Sequence, residues 1–257
     1  MKNRIIALVA LTFLVSLACQ LFVPTTERAG TMILDCTETV SGVIAIQPTD
    51  IPEHLMETGI KQGGEFDVNE YFDVLTNLSM QDGYALDYIY PVDFLGAFPY
   101  LYARPADQPP YASATEVPES VELGNIRDHL KTEDVVQGYF EYAVMDIMAG
   151  QFYLVWHANY NDTEIVCNAE AATAIVDRIN SADFGYKMDL KQQAQVRLMK
   201  DIEPTVTLTD DSAIVDIVIF TKWGGFSRRT YTIGRSFPHS VDINEEILVP
   251  YDCGVMF

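Results

Sequence analysis

Cations are scarce in this chain: 16 Lys and Arg stand against 37 Asp and Glu, a formal net charge of −21 over 257 residues. Affinity for nucleic acid comes mainly from Lys and Arg neutralising phosphates, so nucleic acid is excluded as a partner. Anionic lipid headgroups are likewise repelled by the domain as a whole. Histidine is rarer still, with four residues. His54, His129, His157 and His239 form no HExxH or comparable spacing, and no CxxC or Cys/His zinc pattern occurs, so no metal site is implied. GxSxG, P-loop, GxGxxG and EF-hand patterns are missing too, and no cofactor is indicated. An excess of acid reads first as solubility, and second as a surface for a cationic partner.

What is present begins with "MKNRIIALVALTFLVSLACQ". Lys2 and Arg4 precede an apolar run from Ile5 to Ala18, the charged and hydrophobic regions of an export signal. The stretch "VSLAC" resembles the lipobox of bacterial lipoproteins. That resemblance implies cleavage after Ala18 and attachment of lipid to Cys19, which would become the first residue. Residue 20 is Gln rather than the Asp that resembles an inner-membrane retention signal, so delivery to the outer membrane is open where there are two membranes. The expected place is therefore the cell membrane or outer membrane, lipid-anchored on the extracytoplasmic face. Two alternatives keep the domain outside the cytoplasm as well: an uncleaved span over Ile5 to Val23, and free secretion. Cleavage removes two cations and no acid from the net −21, leaving −23.

Three further cysteines remain: Cys36, Cys167 and Cys253. An exported compartment permits disulfides, and an odd number allows one internal pair with one thiol left over. The sequence does not say which two pair.

The expected division is a signal peptide at 1–18, a tether at 19–34 and one globular α+β domain at 35–257. A Pro-rich segment, 104–120, with Pro105, Pro109, Pro110 and Pro118, reads either as a long surface loop of this one domain or as a linker dividing it. Residues 67–80 read as a helix capped by Asp67 with Glu70 three residues on, and "IPEHLMETGIK" as a shorter helix ended by Gly63 and Gly64. "YALDYIYPV" and "FPYLYAR" read as strands. "NAEAATAIVDRIN" reads as a helix capped by Asn168. Four β-branched segments after residue 204 predict an antiparallel meander, with early helices packed on that C-terminal sheet.

Residues 133–160 support two structures. A helix would repeat Val136, Phe140, Val144, Met148, Phe152 and Trp156 every four residues, with Thr132 as its cap. A hairpin turning at Ala149 and Gly150 would carry Ala143, Met145, Ile147, Phe152, Leu154 and Trp156 on one face. Aromatic density favours the hairpin. It would place His157, Asn159 and Asn161 on one face of a strand end, with Asp162 opening the turn.

Two functional classes follow. The first is a non-enzymatic binding or accessory module of the envelope, taking a protein, peptide or cationic ligand. Asn159, Asn161 and Trp223, the last at the tip of a predicted hairpin, are its candidate contacts. The second is an exported hydrolase or metal-assisted enzyme, with His157 as base and Asp162 orienting it. A packed histidine beside ordinary Asn/Asp turn chemistry is the plainer reading of the same stretch.

Overall fold

The computed structural model describes residues 30–93, 96–119, 121–155 and 163–254. In chain order the elements are β1 (Thr31–Ile33), α1 (Thr37–Ile46), α2 (Glu53–Thr58), a 3-10 turn (Val68–Glu70) and α3 (Tyr71–Val74). Next come β2 (Leu78–Met80), β3 (Tyr84–Ile89), β4 (Val92–Asp93), β5 (Gly96–Ala97), β6 (Tyr100–Pro105), β7 (Leu130–Thr132) and α4 (Val136–Met148). The remainder is β8 (Glu164–Ile165), α5 (Ala169–Ser181), α6 (Leu190–Arg197), β9 (Thr205–Leu208), β10 (Ser212–Thr221), β11 (Gly225–Gly234) and β12 (Val241–Pro250). The class is α+β, as expected.

One antiparallel sheet organises the molecule, in the order β1-β9-β10-β11-β12. β11 pairs along all of β10, so the other edge of β10 is shared. β9 takes its first half, through Ala213 to Asp216, and β8 takes Ile219 and Phe220 near its end. Successive side chains on a strand point to opposite faces. Ala213, Val215, Ile217 and Ile219 therefore enter one core, with α1, α4 and the β3/β6 hairpin, while Val218 and Phe220 enter a second core with α5 and α6. The sheet is a middle layer with helices on both sides. β1 is drawn from residues expected to end the tether; Ile33 pairs with Thr205.

The helix α4 corrects the favoured hairpin reading of 133–160. Ten of its 13 residues are buried, so it has no solvent face and no amphipathic stripe to mark it as a helix. Gly150, read as the hairpin turn, lies just past the helix C-cap at Ala149. Thr132 does not cap it: the N-cap is Val135, in an extended conformation, without a side-chain bond. Gly138 is required by close approach, since a Cβ there would lie 2.5 Å from Glu133 O and from Thr132 Oγ1.

Tertiary contacts also shorten the expected helix over 67–80. Asp67 does cap, accepting from Asn69 N, but the α-helical part ends at Val74 and Leu78 begins β2. Asn77 is captured by the buried Glu141 of α4, whose carboxylate accepts from Asn77 N and Nδ2, each at 2.8 Å. Gln137 Nε2 gives Glu141 a third donor at 3.1 Å. α2 ends at Thr58, earlier than expected, because Gly59 takes a left-handed conformation against Tyr90 O. The helix capped by Asn168 stands as expected.

The Pro-rich segment is fixed at several points. Arg104 donates to the carbonyls of Pro105 and Gln108, Tyr102 Oη accepts from Tyr111 N, and Lys61 N donates to Ala112 O. Its root is a buried ion cluster, in which Asp87 accepts from Lys61 Nζ at 2.7 Å and Arg104 Nε at 3.0 Å.

Cys36 and Cys167 form a disulfide across 131 residues, leaving Cys253 as a buried free thiol. The bridge joins the start of α1 to the residue before the cap of α5. Constraining so long a loop in the unfolded chain predicts that the Cys36→Ser/Cys167→Ser variant loses about 2–5 kcal/mol, read by denaturant unfolding.

Candidate binding cleft

An open cleft of about 540 Å³ lies between the C-terminal half of α4 and the sheet. One wall is chain from Phe98 to Leu101, where the Phe98 and Tyr100 rings sit 4.5 Å apart. A second wall is polar, made by Arg127, Asp146, Gln151, Thr163, Thr221 and Arg229. Aromatic surface beside a few fixed polar groups is the usual make-up of a ligand site.

The polar wall is built by Asp146. α4 carries this carboxylate into the molecule at 15% side-chain exposure, and an ionised group so placed needs partners. Arg127 supplies two parallel bonds, Nε to Oδ1 at 2.8 Å and Nη2 to Oδ2 at 3.1 Å, and Tyr231 Oη on β11 donates to Oδ2 at 2.9 Å. Hydrogen bonding to Asp146 raises the Arg127 pKa against the cost of its burial. Burial, with the Asp146 charge adding to it, pushes the Tyr231 phenol well above its ordinary range. The helix, the segment around residue 127 and the sheet thus meet at one carboxylate.

A second pair stands on the sheet. Glu245 Oε2 accepts from Arg229 Nε at 3.1 Å and Nη2 at 2.8 Å, and its Oε1 accepts from Ser227 Oγ at 2.7 Å. Burial works against the Glu245 charge, but the Ser227 and Arg229 bonds outweigh it and hold the carboxyl below its usual range. Gln151 Nε2 donates to Ile147 O and Thr163 O, tying the two chain ends that flank residues 156–162 to the cleft.

The residues singled out from sequence fall differently. His157, Asn159, Asn161 and Asp162 lie outside the described residues. Trp223 is half-buried against the second core and Phe226 is fully buried, so the β10/β11 tip folds back onto its own sheet. The other histidines have structural partners. His54 meets Glu65 at 2.6 Å, His129 stacks on Tyr84, and His239 lies between Gly234 O and Thr132 N. Among the described residues no group of three or more His, Cys, Asp or Glu is placed to hold a metal ion. Sequence reading missed Arg127, Asp146 and Arg229. Asp146 alone carries a signal, a charge inside the apolar run "VMDIM"; Arg127 in "NIRDHL" and Arg229 in "SRRTYT" stand among polar residues.

Glu245, Glu65 and Asp134 are all held below their ordinary carboxyl values by hydrogen bonds that outweigh burial or, for Asp134, mainly by Arg235. A depressed folded pKa contributes stability above the unfolded value and loses it as pH falls through the folded value. Thermal melts should therefore be level down to the ordinary Glu value of 4.5 and decline below it, with a shallower decline in Glu245→Gln. The chain matches no protein-family model, no curated protein and no solved structure.

Proposed function

We propose that the protein is a lipid-anchored envelope component on the extracytoplasmic face of the cell membrane or outer membrane, whose cleft binds a ligand without transforming it. The observation that carries this reading is the Cys36–Cys167 disulfide, since such bonds form and persist in oxidising compartments outside the cytoplasm. It agrees with the export signal and with Cys19 in its lipobox-like setting. The ligand class follows from the walls of the cleft. Aromatic Phe98 and Tyr100 share the cleft with the bidentate Arg127–Asp146 pair and with Arg229, whose charge Glu245 matches, which suits a peptide or another polar ligand with an apolar face. The acid excess of the domain favours a cationic one.

Metabolic labelling with a fatty acid tests the anchor: the wild-type chain takes the label and Cys19→Ala does not. Alkylation of whole cells tests the compartment. Cys36 and Cys167 should react only after reduction; free thiols there in untreated cells would contradict the reading.

A further inference from the structure

The largest exposed apolar side chains do not lie in the cleft. Four of the most exposed gather in the loop before α6 and on α6 to its C-cap: Phe184 is 88% exposed, Tyr186 68%, Leu190 83% and Leu198 76%, while Ile33 on β1 (71%) and Ile247 on β12 (63%) lie on other elements. Leu190 and Leu198 are eight positions apart, hence two turns along one face and roughly 12 Å from each other. At 3.6 residues per turn Lys191 and Arg197 flank that face, one at each edge. The inner face of the same segment is rooted, since Met188 and Val196 are buried in the second core. Asp189 caps the helix, accepting from Gln192 N at 2.7 Å, and Gln192 Nε2 bonds Pro250 O on β12. The patch is therefore held out by a fixed scaffold.

Its charge is opposite to that of the whole. Residues 184–200 hold four cations, Lys187, Lys191, Arg197 and Lys200, and one acid, Asp189, with exposed Asp183 and Asp201 at its two ends, in a chain whose net charge is −21. All four cations are exposed. Large apolar groups interleaved with Lys and Arg form the pattern of a surface that lies in the interface of an anionic bilayer. Repulsion of anionic lipid by the acidic domain as a whole thus has a local exception.

The patch also stands where an anchored chain enters the fold. Leu34 N donates to Pro204 O at 2.9 Å and Ile33 pairs with Thr205, a few residues after Lys200. Arg228 Nη2 fastens this stretch by donating to Lys200 O and Asp201 O. Cys19 is twelve residues before Thr31, a reach of at most about 43 Å. A surface held that close to a bilayer needs little affinity of its own, because the tether raises its effective concentration.

We infer that residues 184–200 form a membrane-docking face that lays the domain on the anionic leaflet to which its N-terminus is attached. The inference rests on the membrane attachment proposed above. Chemically, Phe184, Tyr186, Leu190 and Leu198 enter the headgroup region and the four cations pair with lipid phosphates.

The test reconstitutes the full chain in vesicles of phosphatidylcholine alone, or with phosphatidylglycerol added, and follows amide hydrogen exchange by mass spectrometry. Exchange over 184–200 should be at least about fivefold slower in the anionic vesicles, with β10 unchanged. The slowing should vanish in high salt, in Lys187→Gln/Lys191→Gln, and in Leu190→Ser/Leu198→Ser, whose positions are exposed and leave the core intact. Equal exchange in both vesicles overturns the inference. So does slowing that grows with protein density, which would assign the face to a second copy. Absence of the acyl label contradicts only the Cys19 reading, because the apolar run at residues 5–23 still holds the chain on the vesicle.

Discussion

The structure depends on one constraint: a helix buried on every side carries two carboxylates that water cannot reach freely. Neither Glu141 nor Asp146 on α4 can be left unpartnered at tolerable cost. Glu141 is satisfied by the amides of Asn77 and Gln137, and meeting that need stops α3 after one turn and starts β2. Asp146 is satisfied by Arg127 and Tyr231, and meeting that need fixes the wall of the cleft. Fold and candidate site are two outcomes of the same requirement, about one and a half helical turns apart along α4.

Around this helix the molecule divides its chemistry by face. The α1/α4 side of the sheet holds the larger core, the cleft and matched ion pairs. The α5/α6 side holds the smaller core and, outside it, the exposed apolar and cationic segment. The disulfide ties the two sides, from the start of α1 to the start of α5. A domain lying on a bilayer through the second side would keep its cleft on a different layer of the fold, free for a ligand. Among the described residues no helix is long and apolar enough to cross a membrane.

How much was legible in the sequence depended on whether an element has a wet side. α5 alternates buried Ala172, Ile175, Val176 and Ile179 with exposed residues, and its Asn168 cap and extent could be read directly. The strands after residue 204 were legible from β-branched density, and the tyrosine-rich pair β3 and β6 likewise. α4 has no wet side, so its residues fit a helical and a strand period equally, and aromatic content weighed toward the wrong one. α6 was overlooked for the opposite reason: its leucines point outward and only the Asp189–Gln192 capping box marks it. The cleft was the least legible part. Arg127 and Asp146 are 19 positions apart, and Tyr231 and Asp146 are 85 apart, so their meeting follows from sheet register and helix placement.

The central claim is that Asp146 locks the buried helix to the sheet, and a double-mutant cycle measures that link directly. Asp146→Ala, Tyr231→Phe and the combined variant would be compared by denaturant unfolding. The account predicts non-additivity on the order of 1–3 kcal/mol, because residues in one hydrogen-bond network couple. Effects that add to within about 0.3 kcal/mol would mean that the two groups act independently, and would contradict the account.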